Sequence, residues 1–275
     1  MCGLAGLVIS PKRRSDDELD YIRRLFTSLL ANSEHRGPYA TGVAVMSKEG
    51  GYCVVKEPLM ATEFVESARY RRLMDRIDAD TAMLMGHTRH PTRGSHLDNR
   101  NNHPLVSGEP VEVLGENGRS AHVLLAHNGH ISNSSLLFAS MRLRRESRVD
   151  TEILLRFIER NVRAKGIDVE GLIYDLSRCR GRLSIVAVST NRPDQVLLIK
   201  GNMPLEVWHH AKRRLLAYAS ENEILARSVG DEGGWRALEI PSWRVVVVNT
   251  KRLLPLRSYQ FACLSDAGTG GATCR

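Results

Sequence analysis

Met1-Cys2-Gly3-Leu4-Ala5-Gly6-Leu7-Val8-Ile9 opens the chain, followed by Ser10-Pro11. Residues 3–9 form a short apolar run that Pro11 stops, the pattern of a buried strand starting almost at the first residue. The N-terminus is then structural and not a loose tail. Downstream, Ser15-Asp16-Asp17-Glu18 has capping-box spacing, and Leu19, Ile22, Leu25, Phe26, Leu29 and Leu30 recur at helical intervals, which predicts a helix over 16–31. Residues 41–46 and 52–55 flank Lys48-Glu49-Gly50-Gly51 as a hairpin. Further helices are predicted over 62–77, 132–141, 153–163, 169–179 and 221–229. Further strands are predicted over 82–86, 122–126, 183–188, 195–199, 205–208, 215–219 and 244–248, with 94–109 a polar loop rich in Asn and His. Grouped helices and grouped strands favour a layered sheet-on-sheet core over an alternating β-α-β pattern.

Composition narrows the class. The 275 residues suit one large layered domain, two at most, and 42% hydrophobic with 25% charged residues excludes collagen-like, wholly disordered and coiled-coil chains. No apolar run approaches the ~18 residues needed to cross a bilayer, so no membrane partner is expected. The net charge of +8 would steer anions. Its clusters, Lys12-Arg13-Arg14, Arg69-Tyr70-Arg71-Arg72, Arg142-Leu143-Arg144-Arg145 and Lys212-Arg213-Arg214, lack the interleaved aromatics of a base-stacking surface. They read as solvated faces, with no nucleic-acid partner. Cysteines 2, 53, 179, 263 and 274 are odd in number and show no paired zinc-knuckle spacing. A reducing compartment fits, and with no signal-peptide pattern the expected location is the cytoplasm. The small, polar, glycine-rich residues 266–275 are expected to be disordered.

Cys2 carries the chemistry. Methionine ahead of a small residue is commonly removed, which leaves a thiol and a free α-amine on one residue. An α-amine titrates at ~7.7–8.0 and a thiol at ~8.5, so the amine can take the thiol proton near neutral pH without a histidine relay. The alternative is an accidental second residue beside a buried strand, and only context decides between them. An acyl-transfer site also needs donors for the oxyanion, and Asn128-Gly129 offers a side-chain amide beside a glycine N–H, although Asn-Gly alone is usually a turn. Arg89, at a strand end, could grip a carboxylate with two prongs, and Asp150, at a helix start, an ammonium. Together they would recognise a free α-amino acid. Singly, each reads as a surface ion or a cap.

The opening Met1-Cys2-Gly3-Leu4-Ala5-Gly6, with His35-Arg36-Gly37-Pro38, resembles the glutaminase domain of class II glutamine amidotransferases, members of the N-terminal-nucleophile hydrolases. The likeness continues in order through Gly86-His87-Thr88-Arg89-His90-Pro91-Thr92-Arg93-Gly94, Asn101-Asn102-His103-Pro104, Ala126-His127-Asn128-Gly129, Val149-Asp150-Thr151-Glu152 and Tyr218-Ala219-Ser220-Glu221. The resemblance implies an α+β fold, a four-layer αββα sandwich of two antiparallel sheets between helices. It implies that Cys2 attacks the side-chain amide of L-glutamine and that Asn128 and Gly129 stabilise the oxyanion. It further implies that Arg89 binds the α-carboxylate and Asp150 the α-amine, with Thr92 and His103 lining the pocket; no metal or cofactor is implied. The domain would span residues 2–260, with 261–275 a disordered tail. That length leaves too little chain for an acceptor domain. The ammonia would then pass to a separate synthase subunit, in an assembly like those related to glutamate synthase, with a homo-oligomer as a further arrangement.

The chain also departs from the family. The position after Arg89 is commonly aromatic there and is His90 here, and the residue before Gly94 is Arg93. Both changes bear on how the arginine loop closes over substrate. Two alternatives of other classes stay open at this level: an amidohydrolase acting on a different amide, and a non-catalytic module binding glutamine or a metal through His87, His90, His96 and His103. The spacings of those histidines do not repeat a standard zinc arrangement. The adjacent His209-His210 would face opposite sides of a strand.

Overall fold

The computed structural model describes residues 1–108 and 122–264. The first half of the chain forms β1 (Gly3–Ile9), α1 (Asp16–Asn32), β2 (Ala40–Ser47), β3 (Tyr52–Glu57), α2 (Ala61–Phe64), α3 (Ala68–Met74), β4 (Thr81–Arg89), β5 (Leu105–Val106), β6 (Val123–Ile131) and α4 (Ser134–Ser140). There follow α5 (Glu152–Asn161), β7 (Val162–Arg163), β8 (Gly166–Ile167), α6 (Val169–Ser177), β9 (Gly181–Ser189), β10 (Arg192–Lys200), β11 (Glu206–His210), β12 (Leu215–Ala219), α7 (Asn222–Val229), β13 (Trp235–Leu238), β14 (Arg244–Asn249) and β15 (Arg257–Gln260).

Two antiparallel sheets carry the architecture. One has seven strands in the order β13-β11-β12-β1-β4-β2-β3, the other six in the order β15-β14-β10-β9-β6-β5. Strand β1 shows why they stack. Its side chains alternate, so Leu4 and Val8 enter the core between the sheets while Ala5, Leu7 and Ile9 enter the core beneath α1 and α7. The second sheet does the same: Leu124, Val186 and Leu198 face the first sheet, and Leu125, Ile185 and Leu197 face α5 and α6. Three apolar seams therefore separate four layers, the expected helix–sheet–sheet–helix sandwich. Among the described residues no helix is long and apolar enough to cross a membrane.

Strand β1 lies between β12 and β4, with Gly6 opposite Tyr218 and Gly3 opposite Thr88. Gly6 is required there. A Cβ would sit 2.2 Å from the Tyr218 hydroxyl, which crosses the buried face to donate to the Leu84 carbonyl at 3.3 Å.

The structure revises several boundaries. The helix expected over 62–77 is two, α2 and α3, because the Ser67 hydroxyl accepts from the Tyr70 amide and starts a new helix. A continuous helix would set Phe64 and Tyr70 about 240° apart. The break turns both rings inward, 5.4 Å from each other. Strands β4 and β6 run past their expected ends to Arg89 and Ile131, since neighbours pair with these polar residues as they do with the apolar ones before them. Thr151, not Asp150, occupies the N-cap of α5. The edge strands β13 and β15 carried no clear period-two signal. Of the expected tail, Phe261 is buried against Trp243 and the Leu264 amide donates to the Cys179 carbonyl. Residues 265–275 lie outside the described residues, as do Glu109 of the expected polar loop and Cys274.

Candidate active site

The mouth of β1, the ends of β4 and β6 and the start of α5 meet around one cavity of about 270 Å³. Its wall includes Cys2, Arg89, His90, Thr92, Arg93, His103, His127, Gly129, Asp150 and Thr151. Six of the seven residues singled out in the sequence thus share one surface, and the seventh, Asn128, is fully buried directly behind Cys2.

The Cys2 sulfur sits against the His90 peptide, 3.4 Å from its nitrogen and 3.5 Å from its oxygen. Burial pushes the Cys2 thiol up, while the His90 backbone, the terminal amine, Arg89 and Arg36 pull it back down. The preceding Met1 is 62% exposed. The Cys2 carbonyl is held from two sides: Arg36 Nε donates at 2.9 Å and the Asn128 Nδ2 at 3.1 Å, with Asn128 Oδ1 accepting from Arg36 at 3.2 Å. Arg36 in turn pairs with Glu221, whose other oxygen lies 2.9 Å from His35 Nε2. Ser220 takes the Leu4 amide on its hydroxyl and gives its own amide to the Leu4 carbonyl. Sequence reading assigned 218–221 a purely structural junction and left Arg36 without a role. Both brace the nucleophile's backbone, and the only available signal was their inclusion in the motifs His35-Arg36-Gly37-Pro38 and Tyr218-Ala219-Ser220-Glu221.

Gly129 continues β6 opposite Leu183 at φ +148°, where a Cβ would lie 1.9 Å from the Arg182 carbonyl oxygen. The Asn-Gly pair is therefore a strained strand segment and not the turn its composition suggests. Asp150 points the same way: its Oδ2 accepts from the Ile131 amide and lies 3.1 Å from His130 Nδ1, off hydrogen-bond geometry. The next two side chains hold other parts, Thr151 the His127 Nδ1 at 2.8 Å and Glu152 the amides of Glu146 and Ser147.

Arg89 is only 3% exposed, and its guanidinium serves the loop that follows it. Nη1 donates to Ser95 O (3.2 Å) and Asn102 Oδ1 (2.6 Å), and Nη2 to Arg93 O (2.6 Å) and Gly94 O (2.9 Å). Thr92 and Arg93 are exposed at the cavity rim. His90 and His96 pack on Tyr39, while His87 and His103 stack edge to face at 4.3 Å deep between the sheets. The four histidines thus form two separate pairs, and among the described residues no group of three or more His, Cys, Asp or Glu is placed to hold a metal. His210 is buried against Trp235 while His209 stays partly exposed, on opposite faces of β11.

No family model matches the chain. It is 26% identical over 215 residues to the glutamine–fructose-6-phosphate aminotransferase (isomerizing) of Aliivibrio fischeri, covering 75% of this chain and 30% of that protein. The same enzyme of Streptomyces coelicolor is 29% identical over 210 residues, again 75% of this chain and 30% of the relative. The chain thus spans about a third of the length of these curated relatives. Among solved structures, a glutamine phosphoribosylpyrophosphate amidotransferase from B. subtilis, complexed with ADP and GMP, superposes with a TM-score of 0.69 at 18% identity, over 95% of this chain and 49% of that one. A structure described as the allosteric regulatory enzyme of purine biosynthesis gives 0.70 at 17%, with the same coverage.

Four layers with a cysteine at the mouth of the central strand define an N-terminal-nucleophile hydrolase fold. Within that class the chain is a class II glutamine amidotransferase domain, as its relatives are in their N-terminal-nucleophile portions.

Proposed function

We propose that this domain hydrolyses the side-chain amide of L-glutamine through a Cys2 thioester and delivers the ammonia to a synthase, which we take to be a separate subunit. Once Met1 is removed, the Cys2 amine accepts the thiol proton and the sulfur attacks the amide carbon. The negative oxygen that forms is met by Asn128 Nδ2 and the Gly129 N–H. Collapse of the intermediate expels ammonia, which carries away a proton, and water then attacks the thioester to release glutamate and restore the thiol. Asp150 holds the substrate ammonium through the oxygen that the Ile131 amide leaves free. The arginine loop takes the α-carboxylate, to which Arg89 can still offer its Nε–H, and Thr92 and His103 line the space between. His87, His103 and His127 are all kept neutral by burial, so none of them competes for the carboxylate.

The observation that carries this reading is the convergence on one cavity of Cys2 with Asp150 at one side and the arginine loop at the other. The titles of the relatives, which name glutamine-dependent aminotransfer, support the substrate. The free thiols Cys2, Cys53, Cys179 and Cys263 accord with a reducing, cytoplasmic setting.

Intact mass and a glutaminase assay test the proposal together. The mature chain should lack Met1. Cys2→Ala should cut ammonia release by at least about a thousandfold while the circular dichroism spectrum and urea midpoint hold. Retention of the methionine in an active enzyme, or cleavage of other amides but not of glutamine, would overturn the mechanism or the substrate. Co-purification of a synthase with the tagged domain tests the partner; recovery of homo-oligomers alone, with ammonia released at full rate, counts against it.

A further inference from the structure

Resting on that glutamine-site reading, we propose that Arg93 makes the paired contact with the substrate α-carboxylate and so sets the specificity for a free amino acid, with Arg89 acting as a positioning residue for the loop. The argument is a count of donors. A guanidinium has five N–H groups, and a carboxylate gripped with two prongs needs two adjacent ones. Arg89 commits both hydrogens of Nη1 to Ser95 O and Asn102 Oδ1 and both of Nη2 to Arg93 O and Gly94 O. Only Nε remains, enough for a single bond. Recruiting Arg89 in bidentate fashion would strip two buried acceptors of their partners and undo the loop it organises.

The other cations nearby are also committed. Arg36 is occupied by the Cys2 carbonyl, Asn128 and Glu221, and it does not reach the cavity wall. Arg93 differs from both. It lines the cavity and is exposed at its rim, and among the described residues its guanidinium has no hydrogen-bond or ion-pair partner. Its own carbonyl is pinned by Arg89 Nη2 at 2.6 Å, so the backbone from which it reaches is fixed. A long side chain with all five donors free, rooted on a fixed peptide beside Thr92, can close over a carboxylate whose ammonium neighbour is held by Asp150.

The test compares kcat/KM for L-glutamine with that for 4-aminobutanamide, the same molecule without its α-carboxylate. In Arg93→Gln, KM for glutamine should rise about ten- to a hundredfold with kcat little changed. Turnover of 4-aminobutanamide should stay put, so that the preference for glutamine collapses. Arg93→Lys should restore part of it. An unchanged glutamine KM in Arg93→Gln, or equal losses on both substrates, overturns the inference while leaving the glutaminase reading intact. A wild-type enzyme that fails to turn over glutamine overturns both.

Discussion

The thiol of Cys2 is surrounded by groups that act on it through its peptide and not through its side chain. Its carbonyl is fixed by Arg36 and Asn128, which aims the sulfur along the cavity wall beside the His90 peptide. The imidazoles behind it have a different task. Burial drives His87 down to about 3 and takes His103 well below its ordinary value, and it lowers His127 as well. On unfolding these rings return to about 6.5, so below that pH the unfolded chain binds protons the folded chain refuses. The stability they confer is whole above about pH 6.5 and drains away as the pH falls toward 3. Each ring steepens the loss by up to about 1.4 kcal/mol per pH unit. Urea midpoints taken between pH 7.5 and 5 should therefore fall, and His87→Phe, which also removes a buried nitrogen without a partner, should fall less steeply. Equal slopes for the two proteins would show that His87 does not contribute.

At the scale of elements, β6 decides the oxyanion geometry. The strand stays paired with β9 from Val123 to Ile131, and Gly129 keeps that register only by adopting φ +148°. An alanine there meets both the left-handed penalty and a backbone oxygen 1.9 Å from its Cβ. Gly129→Ala should cost about 3 kcal/mol or more in stability and also abolish ammonia release, because relief requires moving the Asn128–Gly129 peptide. Thermal denaturation and the glutaminase assay check the two halves; a variant that keeps wild-type turnover would separate the glycine from the site. The loop after β4 is governed by an opposite device. There a cation buried within the segment draws four acceptors onto itself, which fixes the loop without regular secondary structure.

Across the whole molecule, the site exists because two sheets and two distant chain segments meet at β1. Glu221, at the end of the run from β12 into α7, ties to Arg36 and His35 after α1, and through Arg36 to Cys2 and Asn128 in the other sheet. Removing that charge should disturb aim more than binding. Glu221→Gln is expected to lower kcat about tenfold with KM nearly unchanged. Glu223→Gln, which breaks an exposed pair with Arg227 on α7, should leave both constants alone. Steady-state kinetics on the two variants distinguish a brace from a general effect of lost charge, since matching behaviour would favour the latter.

The apolar run after Cys2, the capped period of α1, the hairpin glycines and the order of short motifs were readable because each is a local pattern whose meaning depends on neighbours a few residues away. They were enough to place a nucleophile on a buried strand and to expect stacked sheets. Other features were not readable. The break between α2 and α3 follows from where two rings must point. The continuation of β6 through Asn128-Gly129 follows from a partner strand about fifty residues on. The commitment of Arg89 to its own loop, and the release of Arg93 from any, depend on which acceptors the fold brings within 3.2 Å. Sequence by itself determined which chemical groups are present and the faces on which they lie. Which of two neighbouring arginines has donors to spare, and which glutamate steadies the cysteine, only the tertiary structure decided, because hydrogen bonds saturate and the partners that saturate them come from anywhere along the chain.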